Sequence, residues 1–100
     1  MDALSLDRYV TDTLMADLVG HDRKPSAYLV YLAIAAGEGR TALGYGELAE
    51  RTGLSRRACQ QAVAHLKRRG LISATRRSAN EAAVYRALTP WIRPAPRSST

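Results

Sequence analysis

The sequence contains no phenylalanine, a single cysteine and a single tryptophan. A lone cysteine, Cys59, cannot form a disulfide within the chain, which favours a reducing compartment. No apolar run reaches the length of a transmembrane helix. The first ten residues, MDALSLDRYV, lack the basic and then apolar order of a secretory signal. These absences predict a cytoplasmic protein, and the length of 100 residues suits one globular domain.

Acidic residues are nearly missing from the second half of the chain. Residues 55–100 contain ten basic side chains and one acid, Glu81, a net charge of +9. Residues 1–54 contain five basic and eight acidic side chains, a net charge of −3. This segregation indicates a polyanionic partner for the second half. The alternative is a basic face that serves only solubility, and composition alone does not separate the two.

Two helices are predicted in the first third of the chain. Apolar residues recur at steps of three and four from Leu6 to about Gly20, which is typical of an amphipathic helix that Gly20 could end. Pro25 suits the first turn of a second helix. The run Ala27 to Ala36 is apolar on nearly every side, so this helix is expected at the centre of the domain.

A helix, a tight turn, a second helix and a hairpin are predicted next. A very short strand is possible within residues 40–43, followed by a short helix over residues 45–51 with Gly44 at or near its N-cap. Gly53 suits the left-handed position that ends this helix, and Ser55 is a good N-cap for a helix that ends near Arg69. Beyond Gly70, residues 71–77 and 82–88 are strand-like and flank a turn around Asn80.

This order of elements resembles the winged helix-turn-helix domains of bacterial DNA-binding proteins, including the MarR-like regulators and similar domains of plasmid and phage replication proteins. The resemblance is carried by the following residues: Leu48-Ala49, Gly53-Leu54-Ser55, Cys59, Val63, Leu66 and Gly70-Leu71-Ile72. It covers roughly residues 25–88. The implied fold is mainly α with a small β-hairpin wing and an extra N-terminal helix. We divide the chain into residues 1–24, a helix and connection, residues 25–90, the winged domain, and residues 91–100, a disordered basic tail.

The helix over residues 55–69 is predicted to have one apolar and one cationic face. On a wheel of 100° per residue, Cys59, Ala62, Val63 and Leu66 share one side. The opposite side has no acid. Its Arg and Gln side chains suit hydrogen bonding to purine edges in the major groove. Its small residue, Ala64, permits the helix to approach a surface closely. Arg56 and Arg57 open the helix against its own dipole, which favours an anionic partner at that end.

We therefore predict sequence-specific binding of double-stranded DNA by a small bacterial transcriptional regulator. The predicted DNA-binding residues are Ser55, Arg56, Arg57, Gln60, Gln61, Ala64, Lys67, Arg68, Arg76 and Arg77. Arg76 and Arg77 are placed at the hairpin tip, where they could contact phosphates or only deter strand aggregation. The alternatives are a winged adaptor that binds protein, and a plasmid or phage replication or maintenance factor. RNA binding is less favoured because aromatic residues for base stacking are few.

The apolar stripe of the first helix is expected to join two copies of the chain. A three-helix winged domain does not need this helix to complete its core, and winged regulators of this kind often dimerise through such helices. The predicted homodimer residues are Leu6, Tyr9, Val10, Leu14 and Leu18. Trp91 could add to this surface or pack beneath the helix. The alternative is that the first helix folds back on its own domain.

Other chemistry has little support in the sequence. Residues 37–42, GEGRTA, match the dinucleotide pattern G-x-G-x-x-A, but they follow a predicted helix rather than a strand. His21 and Asp22 lack the further ligands that a metal site requires, and His65 is isolated on a helix flank. Cys59 is expected to be a buried, unreactive thiol. We predict no catalytic residue, no metal site, no cofactor and no small-molecule substrate.

Overall fold

The computed structural model describes residues 6–37, 41–42, 44–76 and 83–91. An N-terminal helix is followed by α1 (Pro25–Ala35), β1 (Thr41–Ala42), α2 (Tyr45–Thr52), α3 (Arg56–Arg68), β2 (Ile72–Thr75) and β3 (Val84–Ala87). The predicted winged helix-turn-helix with an extra N-terminal helix is confirmed. Three predicted features lie outside the described residues: Arg77, the turn around Asn80 and the tail from residue 92. The three-part division of the chain stays a prediction.

The N-terminal helix differs from the predicted helix in its winding and its end. It consists of two π-helical segments, Val10–Leu14 and Ala16–His21, in which hydrogen bonds join residues five apart. Gly20 lies inside the second segment, so it does not end the helix as predicted. Arg23 takes the left-handed conformation instead, with φ of 56°, and the Lys24 N–H then donates to the Leu18 carbonyl at 2.7 Å.

The apolar stripe of the N-terminal helix is buried within its own chain. Val10, Leu14 and Leu18 are each at most 2% exposed, and the Tyr28 hydroxyl of α1 donates to the Val10 carbonyl at 2.9 Å. The prediction that these three side chains form a dimer contact is therefore wrong, because they already complete the core of the domain. The helix folds back on its own domain, the alternative that the sequence left open.

Two aromatic side chains fasten the start of the N-terminal helix to the end of the winged domain. Tyr9 stacks on Trp91 with ring centroids 4.4 Å apart and 13° between the ring planes. Trp91 thus packs against the helix, and Tyr9 is half-buried. Leu6 is 36% exposed, so it is the one predicted dimer residue among the five that keeps an accessible apolar side chain.

Helix α1 occupies the centre of the domain, as its apolar sequence predicts. It contacts the N-terminal helix, α2, α3 and β3. Its buried side chains are Ala27, Tyr28, Val30, Tyr31 and Ile34. The Tyr31 hydroxyl donates to the Leu88 carbonyl at 2.9 Å, which ties α1 to the residue after β3. Burial raises the pKa of Tyr31 to about 12, so this donor keeps its proton throughout the neutral range.

The described strands form an antiparallel sheet in the order β1-β3-β2. The pairing of Ile72 with Ala87 and of Thr75 with Val84 establishes the predicted hairpin, with strands shorter than the sequence indicated. The brief strand expected within residues 40–43 is present as β1, which pairs with β3. Tyr85 of β3 is buried towards the helices, while Arg86 is exposed, the alternation expected of a sheet with one solvated face.

Candidate nucleic-acid interface

The turn between α2 and α3 is fixed by Thr52 and Gly53. Gly53 has φ of 78° and its N–H donates to the Ala49 carbonyl at 2.8 Å, the left-handed C-cap that only glycine adopts at little cost. The Thr52 hydroxyl donates to the Leu48 carbonyl at 2.6 Å and accepts from the Leu54 N–H at 3.2 Å. These bonds set the direction in which the chain enters α3.

Ser55 is the N-cap of α3, as the sequence predicts. Its backbone is extended, and its side-chain oxygen accepts from the Ala58 N–H at 3.0 Å. This bond satisfies one of the free N–H groups of the first turn. Because the hydroxyl hydrogen is not used in the cap, Ser55 can still donate to a phosphate oxygen.

One face of α3 is buried against the rest of the domain. Cys59, Ala62, Val63 and Leu66 are each at most 2% exposed, and α3 packs on α1 and α2. Leu48 of α2 is fully buried in the same core. This packing fixes which face of α3 remains open to solvent.

The opposite face of α3 is exposed and cationic. Its exposed side chains are Arg56, Arg57, Gln60, Gln61, Ala64, Lys67 and Arg68. Among the described residues, ion pairs of α3 and its C-cap are confined to His65 and Arg69, so these seven side chains include no charge neutralised by an acid. The seven predicted interface residues of α3 therefore lie on one open surface, which we call the cationic face.

Arg56 lies across the first turn of α2. A methyl group built on Gly46 would be 2.9 Å from Arg56 Nη2 and 3.4 Å from Cζ. The guanidinium therefore occupies the space that a larger residue at position 46 would take. Arg56 thereby extends the cationic face from α3 to the N-terminal end of α2.

A largely buried carboxylate near the other end of α3 has no signal in the sequence. Asp22 Oδ2 lies 2.9 Å from His65 Nε2 and 3.0 Å from Arg69 Nε, and Asp22 Oδ1 lies 3.0 Å from His21 Nδ1. The Asp22 side chain is only 9% exposed. Hydrogen bonds from His21 and His65, helped by the positive charge of Arg69, lower the pKa of Asp22 to about 2.

This cluster corrects the reading of His65 as an isolated histidine. His65 is paired with Asp22, and Arg69 is drawn to the same carboxylate. Neither residue carries a sequence signal for this role, because Asp22 lies 43 positions before His65. The cluster fastens the last turns of α3 to the connection before α1.

The hairpin supplies further exposed cations. Arg76 follows β2 directly, and Arg86 lies in β3 opposite Ser73. Both are exposed. The structure thus leaves Arg76 accessible at the start of the hairpin connection, while Arg77 lies outside the described residues.

The arrangement of these elements defines a class of protein. Helix α2, the tight turn at Gly53, helix α3 with one face open to solvent, and the antiparallel hairpin together form a winged helix-turn-helix domain. A family model described as MarR family matches residues 21–81, more than half of the chain. The chain belongs to the MarR family, a family of DNA-binding transcriptional regulators rather than enzymes. No curated protein and no solved structure matches it.

Within the described ranges, no group of three or more His, Cys, Asp or Glu side chains could hold a metal ion. In the same part of the chain, no helix has the length and apolar character needed to cross a membrane.

Proposed function

We propose that this protein is a small bacterial transcriptional regulator that binds double-stranded DNA sequence-specifically by inserting α3 into the major groove. The observation that carries the proposal is the cationic face, which is open, free of acids and unpaired among the described residues. An α-helix fits the major groove of B-DNA, and unpaired arginines at its N-terminal end are favoured when anions approach. Membership of the MarR family supports the same function.

The proposed contacts divide into base readers and phosphate binders. Arg57 and Arg68 would bind guanine O6 and N7, and Gln60 and Gln61 would bind adenine N6 and N7. Ala64 lets the helix approach the base pairs closely. The remaining proposed contacts, to the sugar-phosphate backbone, are made by Ser55, Arg56, Lys67, Arg76 and Arg77.

Regulation would follow from occupancy of a promoter in the cytoplasm, either by excluding RNA polymerase or by recruiting it. We also propose a homodimer, whose two α3 helices would lie about 34–36 Å apart on a palindromic site. Val10, Leu14 and Leu18 are unavailable for its contact because they are buried within one chain. The large apolar side chains of the described residues that remain exposed are Leu6, Met15, Val19, Leu29 and Val84.

Selection of bound duplexes from a random pool, at a stated salt concentration, tests the proposal. The expected result is a short consensus, palindromic if the protein binds as a dimer. The variant Arg57→Ala/Arg68→Ala should lose specific binding and keep its fold by circular dichroism. The matched control Arg8→Ala/Lys24→Ala removes the same charge from exposed positions outside the cationic face and should keep specific binding.

One contrary outcome would refute the role of α3, and two others would each favour a rival function. Full affinity in the Arg57→Ala/Arg68→Ala variant would refute the assignment of α3 as the reading helix. Salt-independent binding to a protein without affinity for DNA would favour the adaptor. A target within a replication origin would favour the replication or maintenance factor.

A further inference from the structure

Gly46 has no conformational reason to be glycine. It lies in the first turn of α2, and the described glycines with positive φ are Gly53 and Gly70 only. Glycine within a helix is less stable than alanine, because its backbone loses more conformational freedom on folding. The backbone conformation of α2 would therefore accept alanine at position 46.

The neighbour of Gly46 is the guanidinium of Arg56. A Cβ at position 46 would lie 2.9 Å from Nη2, 3.4 Å from Cζ and 3.5 Å from Nε. A distance of 2.9 Å is too short for a carbon and a nitrogen that share no bond. Any side chain at position 46 would therefore push the Arg56 guanidinium to a different position.

The position of the Arg56 guanidinium is electrostatically unfavourable in the free protein. Arg56 is the first residue of α3 and its guanidinium lies on the first turn of α2, so it is close to the positive ends of two helix dipoles. Glu47 lies in the same turn of α2, yet no described acid forms an ion pair with Arg56. An anion bound here would compensate the Arg56 guanidinium and the positive N-terminal ends of both α2 and α3.

We propose that Gly46 is a positioning residue for DNA binding, because it seats the Arg56 guanidinium between the starts of α2 and α3 for contact with a DNA phosphate. The inference rests on the proposed function and adds a residue of α2 that does not itself touch the base pairs. Its distinguishing consequence is that Gly46→Ala weakens DNA binding while the free protein keeps or gains stability.

A double-mutant cycle on the selected duplex tests this inference. Gly46→Ala should weaken binding about three- to tenfold, keep or raise the Tm, and lower the slope of log Kd against log salt by up to about 0.9, the value of one phosphate contact. In the Arg56→Ala background, Gly46→Ala should have no further effect on affinity. Gly20→Ala is the matched control, because a methyl there would meet nothing within 4 Å, and its affinity should be unchanged.

Two outcomes would overturn the inference. One is an unchanged affinity in Gly46→Ala, and the other is an equal loss of affinity in the Arg56→Ala background. The NMR signal of Arg56 Nε–Hε in the free protein gives a readout without DNA, and Gly46→Ala should shift it. If the protein binds no DNA but this signal shifts, the proposed function fails while the seating of Arg56 stands. An unshifted signal would disprove the seating itself.

Discussion

Asp22 and His65 lie 43 positions apart in the chain and are joined by a hydrogen bond of 2.9 Å. With a pKa of about 2, the carboxylate is ionised at neutral pH and can only accept, so His65 Nε2 must carry the hydrogen that it donates. Arg69 Nε reaches the same oxygen at 3.0 Å. The connection before α1 thereby holds the C-terminal end of α3 through a single carboxylate.

Asp22→Asn should destabilise the protein by about 1–3 kcal/mol, because it removes the charged acceptor of three donors at a mostly buried position. Thermal and urea denaturation measure the loss. Glu50→Gln, which removes an equal charge from an exposed position of α2, is the control and should change stability by less than about 0.5 kcal/mol. An equal Tm for Asp22→Asn and wild type would show that the cluster contributes nothing to folding.

The same carboxylate predicts how stability changes in acid. The pKa of Asp22 falls from 3.8 to about 2 on folding. Its contribution should therefore be fully present above about pH 5 and should be lost as the pH falls through 4 towards 2. Urea midpoints measured at pH 6, 4, 3 and 2 test this window. Asp22→Asn should show a shallower decline than wild type over the same range, and parallel curves would contradict the assignment.

Ser55→Ala should cost about 0.5–2 kcal/mol, because the Ala58 N–H would lose its side-chain acceptor at the start of α3. The midpoint of urea unfolding is the measurement. Ser73→Ala, in the exposed part of β2, removes the same hydroxyl where no described hydrogen bond uses it. The cap would be irrelevant to stability if the two variants had the same midpoint.

Arg76→Ala separates two roles for the hairpin. If Arg76 binds a phosphate, the variant should lower the slope of log Kd against log salt by about 0.9 on the selected duplex. If Arg76 only protects the sheet edge from aggregation, the slope should stay at the wild-type value and the variant should aggregate more readily. Arg8→Ala, an exposed arginine of the N-terminal helix, controls for the change in net charge.

The parts of the fold that the sequence predicted correctly depend on short-range rules. Gly53 in a left-handed turn, the Ser55 cap and the buried face of Cys59 and Leu66 each follow from residues a few positions apart. The exposure of the cationic face followed from the same helical period.

The parts that were missed depend on distant residues. Nothing in the sequence near Asp22 indicates that His65 and Arg69 will surround it. An apolar stripe indicates that Val10, Leu14 and Leu18 will be buried. It does not indicate whether they pack against the same chain or against a second copy. The left-handed residue is Arg23 rather than Gly20, because the π-helical winding carries the N-terminal helix past Gly20. No local sequence pattern indicated a π-helix.

The buried thiol of Cys59 can report on the opening of α3. Cys59 is 0% exposed and lies on the side of α3 that packs into the core, so an alkylating reagent can reach its sulfur only when the helix detaches from the domain. The rate of labelling therefore measures how often α3 opens, without any probe being introduced. A bound duplex that clamps the helix from outside should slow that rate in proportion to its occupancy.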